Sequence, residues 1–208
     1  MVDPKRRLII GGGPALALLA TAGLSACDRP GGSSAAFKAV DITGATYADA
    51  LSLPDPSGQV RTLAEFRGKV VVVFFGFTQC PDVCPTTLYE LAQVRQMLGD
   101  PGQDVQGIFV TVDPERDTPE LLKEYVANFN AGFVALRGDA QQTADTAKRF
   151  KVFYAKVPGK TEGQYTIDHT AGSYVFDRQG RIRLFTRHGT GPEALAHDLR
   201  LLLNEKAG

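Results

Sequence analysis

Val70-Val-Val-Val-Phe-Phe75, Gly76-Phe-Thr-Gln79 and Cys80-Pro-Asp-Val-Cys84-Pro85 form one uninterrupted stretch, and its reading decides the fold. The first six residues are a continuous apolar run of β-branched and aromatic side chains, of the length and kind expected for a strand buried on both faces. A helix follows. Leu88, Leu91, Ala92, Val94 and Leu98 recur at helical spacing, Pro85 suits a first turn in which a missing N–H is no loss, and Gly99 ends the pattern. Strand, turn and helix in this order place Cys80 in the turn and Cys84 at the helix start. Unpaired backbone N–H groups and the positive end of the helix dipole favour a thiolate there, which is a better nucleophile and a better ligand for soft metal ions than a thiol.

Working outward, Gly107-Ile-Phe-Val-Thr-Val112 reads as a second buried strand, and Thr118 as the N-cap of a helix with Pro119 at its first position, running to about Phe129. A further helix is predicted over 141–150. Strands are expected over 173–177 and 182–185, joined by a hairpin at Arg178-Gln-Gly-Arg181, and a last helix from Pro192 to about Asn204. On the N-terminal side, Asp55-Pro-Ser-Gly58 has the composition of a hairpin turn, and 63–69 leads into the first buried strand. Strands alternating with helices, closed by a hairpin and a helix, give an α/β domain with a central mixed sheet flanked by helices. A cysteine pair at the first strand-to-helix turn makes this a thioredoxin-like layout.

The first 26 residues have the order of a lipoprotein signal peptide: basic Lys5, Arg6 and Arg7, an apolar stretch from Leu8 to Ala22, and the small-residue site Leu24-Ser-Ala-Cys27. That tetrapeptide resembles the lipobox of bacterial lipoproteins, which would make Cys27 the lipidated first residue of the mature chain. It accounts for the odd third cysteine. As an uncleaved anchor the apolar stretch is short and broken by Gly11-Gly-Gly13 and Pro14, and as a dinucleotide loop those glycines lack a preceding strand. Asp28 resembles the signal that retains lipoproteins at the inner membrane of Gram-negative bacteria. Residues 27–39, rich in Gly, Ser, Pro and Ala, read as a flexible tether, and 40–208 as one folded domain. Export puts Cys80 and Cys84 on the periplasmic side of the membrane, where disulfides persist. Lys plus Arg and Asp plus Glu both number 23, so no basic excess supports nucleic-acid binding.

Cys80 and Cys84 are spaced Cys-x3-Cys. Positions i and i+4 share a helix face, so the sulfurs can converge on one ion or close into a disulfide, and spacing does not separate the two chemistries. A further ligand does. Of the three histidines, His197 falls within the last helix and His188 in a Gly-rich loop, whereas His169 precedes the penultimate strand, where the loop of a thioredoxin-like fold faces the cysteine turn. Two thiolates and an imidazole form a soft, three-coordinate set suited to Cu(I), while structural zinc calls for a fourth protein ligand. Cu(II) is compatible with the imidazole and a further oxygen, but Asp168 neighbours His169 in an extended segment and points away from it, which leaves it a supporting role. Phe74 and Phe75 belong to the core, and Phe77 is placed to shield the site from water. The loop Asp113-Pro-Glu-Arg-Asp-Thr118 reads as a polar cap for the next helix in preference to a partner-docking surface.

Phe77-Thr-Gln-Cys80-Pro-Asp-Val-Cys84-Pro85, Val112-Asp-Pro-Glu-Arg-Asp-Thr-Pro119 and Asp168-His169, in this order, resemble the SCO/SenC family of copper chaperones for cytochrome c oxidase assembly. The resemblance implies a membrane-tethered, thioredoxin-like protein that binds copper, as Cu(I) or Cu(II), through Cys80, Cys84 and His169. It further implies delivery of that copper to the CuA centre of oxidase subunit II, reduction of that subunit's cysteines, or both. Two alternatives stand beside the chaperone reading. One is an extracytoplasmic thiol-disulfide oxidoreductase that uses Cys80 and Cys84 without metal. The other is a peroxiredoxin-like redox defence protein, weakened because Thr78 stands one residue too close to Cys80 for the usual peroxidatic motif.

Overall fold

The computed structural model describes residues 36–129 and 131–205. The predicted signal peptide, Cys27 and all but the end of the predicted tether lie outside the described residues. Among the described residues, no helix is long and apolar enough to cross a membrane.

The apolar run at 70–75 becomes strand β4 (Val70–Gly76), every residue of which is buried, and it lies inside a six-stranded sheet. On one side it pairs in parallel with β5 (Val105–Thr111), which pairs in parallel with the short edge strand β6 (Val134–Leu136). On the other side it meets β9 (Gly172–Phe176) antiparallel, followed by β10 (Ile182–Arg187) and β1 (Val40–Asp41), so the sheet is mixed as expected. Alternation along β4 sends Phe74 and Phe75 to opposite faces. Phe74 stacks beside Phe109 at 6.2 Å, while Phe75 meets Phe150 of helix α3 (Ala140–Phe150) at 5.1 Å. Helix α1 (Val83–Leu98) buries Leu88, Leu91, Val94 and Leu98 and packs beside α4 (Pro192–Asn204). Helix α2 (Pro119–Ala127) starts at Thr118, whose hydroxyl accepts from the Leu121 N–H at 3.2 Å as predicted.

Two ribbons stand outside the main sheet: β2 (Ser52–Pro54) with β3 (Val60–Thr62), and β7 (Tyr154–Pro158) with β8 (Tyr165–His169). The first closes at the predicted turn, where Asp55 accepts from the Ser57 N–H and Gly58 adopts the left-handed φ of 85°. The second is a correction to the sequence reading, which left 154–169 without strands and put His169 in a loop. His169 is instead the last residue of β8, paired with Tyr154. Phe37 packs against the core, and the backbone N–H groups of Lys38 and Ala39 donate to the buried Asp198 carboxylate at 2.9 and 2.8 Å. These residues, read as the end of the tether, have a fixed seat on α4.

Candidate metal centre

The fold brings three chemically reactive side chains together at the C-terminal end of β4. Cys80 lies in the turn after the strand, Cys84 in the first turn of α1, and His169 reaches them from the end of β8. Their ligand atoms all lie within 4.8 Å of one another. Atoms bound about 2.3 Å from one metal in a trigonal plane stand about 4 Å apart, so the cluster has the size such an ion needs.

The two sulfurs are not equivalent. Cys84 is wholly buried, at 0% exposure, with Sγ 3.5 Å from His169 Nε2. Cys80 is partly exposed, and its Sγ accepts from the Cys84 backbone N–H at 3.4 Å. The Cys84 thiol, in first place, and then the backbone N–H groups of Asp82 and Cys84 draw Cys80 down to about 5, against the opposing effect of burial. The neighbouring Cys80 sulfur and burial push Cys84 up. The helix start therefore favours a thiolate, as predicted, but on Cys80 and not on the helical Cys84: the orphan N–H groups point out at the turn residue in front of them.

Gly76 is what leaves room for the buried sulfur. A Cβ at this position would stand 2.7 Å from Cys84 Sγ and 2.9 Å from a Phe109 ring carbon, closer than side-chain carbons approach one another. The His169 ring is fixed on three sides. Phe74 and Phe77 meet it edge to face at 6.0 and 5.9 Å, and Nδ1 lies 3.2 Å from the Thr170 carbonyl. A carbonyl only accepts, so Nδ1 carries a proton, and it is Nε2 that faces the sulfurs as the nitrogen available to a metal ion. Phe77, only 1% exposed, closes the inner side of the cluster as expected.

Asp168 is exposed and is no member of the cluster; the supporting contact to His169 comes from Thr170. His188 lies 3.5 Å from the Thr87 hydroxyl and His197 beside Asp198 at 2.9 Å, so neither joins the site. Sequence reasoning missed Asp117. Its buried carboxylate accepts from the Thr78 hydroxyl at 2.6 Å, the Thr78 N–H at 3.2 Å and the Thr111 hydroxyl at 2.5 Å, pinning the loop before Cys80 to the end of β5. Burial pushes the Asp117 carboxyl up, and these hydrogen bonds hold it down. The acid-rich loop was visible in the sequence, but nothing in it marked that Asp113 and Asp117 turn inward while Glu115 faces solvent.

Fold and site define a class: a thioredoxin-like domain that converges two thiols and one imidazole beyond its first buried strand. The match to the SCO1/SenC family model covers residues 41–204, and the chain belongs to that family. An SCO2-like protein of Rickettsia prowazekii is 42% identical over 130 residues, which span 62% of this chain and 63% of that protein, less than two thirds of its length. The structure of Bradyrhizobium japonicum ScoI with copper bound is similar at 40% identity and a TM-score of 0.66, over 74% of this chain and 97% of that one. Yeast Sco1 with copper bound is similar at 28% identity and a TM-score of 0.68, over 76% of this chain and 88% of that one.

Proposed function

We propose that this chain is a copper metallochaperone, lipid-anchored through Cys27 at the periplasmic face of the bacterial cytoplasmic membrane. It binds copper through Cys80, Cys84 and His169 and delivers it to the CuA centre of cytochrome c oxidase subunit II. The observation that carries this reading is the convergence of two sulfurs and one imidazole nitrogen within 4.8 Å, with Nε2 free to coordinate. Two thiolates and an imidazole suit Cu(I), and the imidazole suits Cu(II) as well. Copper-bound relatives of the same fold support the choice of metal.

The reduced, purified protein is expected to bind one copper ion per chain. Replacing His169 by Ala leaves both sulfurs, so Cu(I) persists while Cu(II) is largely lost, measured by competition with a chromogenic Cu(I) chelator and by electron paramagnetic resonance. Equal affinity of parent and His169→Ala for both oxidation states removes His169 from the ligand set. The anchor rests on the signal-like order of residues 1–27 and has its own check: mass spectrometry of the membrane fraction is expected to find a chain beginning at acylated Cys27. Recovery of an intact chain beginning at Met1 contradicts it.

One observation favours a second reading. Cys80 is partly exposed and drawn toward the thiolate, with a protonated thiol directly behind it, which is the arrangement of an attacking and a resolving cysteine. A protein that binds no copper when reduced, yet reduces a disulfide substrate, is a thiol-disulfide reductase.

A further inference from the structure

The two sulfurs and His169 stand on separate parts of the fold. The cysteines follow from β4 and α1, whereas His169 ends a two-stranded ribbon that has no backbone ladder with the six-stranded sheet. Ile167, 4% exposed, seats the ribbon in the core, with Tyr154 and Tyr165 packed against it at its edge. A second connection runs through Arg116, in the loop between β5 and α2. Its Nη1 donates to Gln79 Oε1 at 3.0 Å, on the residue just before Cys80, and to the carbonyl of Tyr165, the first residue of β8, at 2.8 Å. Its Nε donates to the buried carboxylate of Asp113 at 2.5 Å. Tyr165 completes the clamp, donating its hydroxyl to the other Asp113 oxygen at 2.8 Å while its ring lies 3.6 Å from the guanidinium carbon.

We propose that Arg116 is a positioning residue that sets where His169 stands relative to the two sulfurs. The planar fork does this by holding three elements in one plane of contacts: the cysteine turn, the Asp113 loop and the start of the histidine strand. Its other terminal nitrogen, Nη2, is buried without a hydrogen-bond partner. The same guanidinium stands 5.9 Å from the Phe77 ring, which meets His169 edge-on, giving a second route to the imidazole.

The inference rests on the reading of the cluster as a copper site, and its test has one arm that needs no metal. In the metal-free protein, Arg116→Gln is expected to raise amide hydrogen exchange at Thr166–His169 about tenfold, with β4 and β5 unchanged. With copper, Cu(II) affinity falls about 10–100-fold, the effect of losing a group that orients a ligand, and its paramagnetic spectrum shifts. Cu(I), held by the sulfurs, changes by less than about threefold. Arg116→Lys keeps the charge but not the fork, and is expected to behave like the Gln variant. If Arg116→Gln fails to fold, Gln79→Ala, at an exposed position, cuts one arm of the clamp and is expected to weaken Cu(II) several-fold. Unchanged exchange and unchanged Cu(II) affinity in Arg116→Gln, an equal loss of both oxidation states, full rescue by Lys, or an unaltered Gln79→Ala each overturn the proposal. A parent that binds no copper sinks the chaperone reading, while the exchange arm still decides whether Arg116 holds the ribbon.

Discussion

Iodoacetamide at neutral pH is expected to modify Cys80 at least about a hundred times faster than Cys84. The thiolate, and not the thiol, attacks the methylene carbon of the reagent and expels iodide. Cys80, drawn to about 5, is almost wholly ionised at pH 7, whereas Cys84 is pushed upward and carries no exposed surface. The sign of the pH dependence follows from the downward direction of the Cys80 shift. An ordinary thiol loses reactivity below about pH 8.5; Cys80 keeps a flat rate as the pH falls, until it declines through its lowered value of about 5. Peptide mapping by mass spectrometry of briefly labelled, metal-free, reduced protein reads both quantities. Equal labelling of the two thiols, or a Cys80 rate that falls away near pH 8, contradicts the assignment of the thiolate to the turn. In Cys84→Ala the thiol that does most to hold Cys80 down is gone, and the decline is expected to move to higher pH.

Gly76→Ala is expected to injure the site more than its one methyl group implies. The new carbon would meet Cys84 Sγ at 2.7 Å, a Phe109 carbon at 2.9 Å and a Phe74 carbon at 3.0 Å, and β4 is paired along this stretch with β5. Overpacking of this kind costs about 1–3 kcal/mol. The sulfur, the nearest neighbour, is displaced with it, and Cu(I) affinity falls by about an order of magnitude or more. A double-mutant cycle separates the two effects. With Cys84 also replaced by Ala the nearest clash is relieved, so the stability penalty at Gly76 shrinks by about 1 kcal/mol, a coupling well within what neighbouring residues show. Chemical denaturation of the four proteins reads it directly. Additive penalties place the strain at the phenylalanines, and the glycine then has no special relation to the sulfur.

The parts of the fold that were legible in the sequence are those whose pattern is imposed by complete burial. β4 reads from Val70–Phe75 because both its faces are covered, and α1 reads from its leucine and valine spacing. The ribbon of β7 and β8 escaped because it is covered on one side at most. Lys156, Thr166 and Asp168 are exposed, Pro158 interrupts the pattern, and the residues between the two strands carry no apolar signal. His169 was placed by its order in the chain and by family resemblance, and not by any strand pattern around it. The difference between the two sulfurs was out of reach for another reason. Both cysteines sit near a helix N-terminus in the sequence, and which becomes the thiolate is decided by the Cys84 thiol turned toward Cys80, the backbone N–H groups of Asp82 and Cys84 that face it, and the deeper burial of Cys84. Asp117 and Arg116 belong to a loop whose charged composition read as a solvated cap; their partners Thr78, Thr111 and Tyr165 lie 39, 6 and 49 residues away along the chain.

Under the proposed chaperone reading, the unequal burial of the two sulfurs would also set an order of events. Cys80 and His169 are partly open to solvent and Cys84 is not. A cysteine or histidine of a receiving protein would approach from the open side and take the place of one outer ligand while the inner sulfur still held the ion. Cys84 would let go last. Handover would then be a relay of single exchanges in which the cargo always has a holder, and the same asymmetry run backward would make Cys84 the bond that commits an arriving ion to stay.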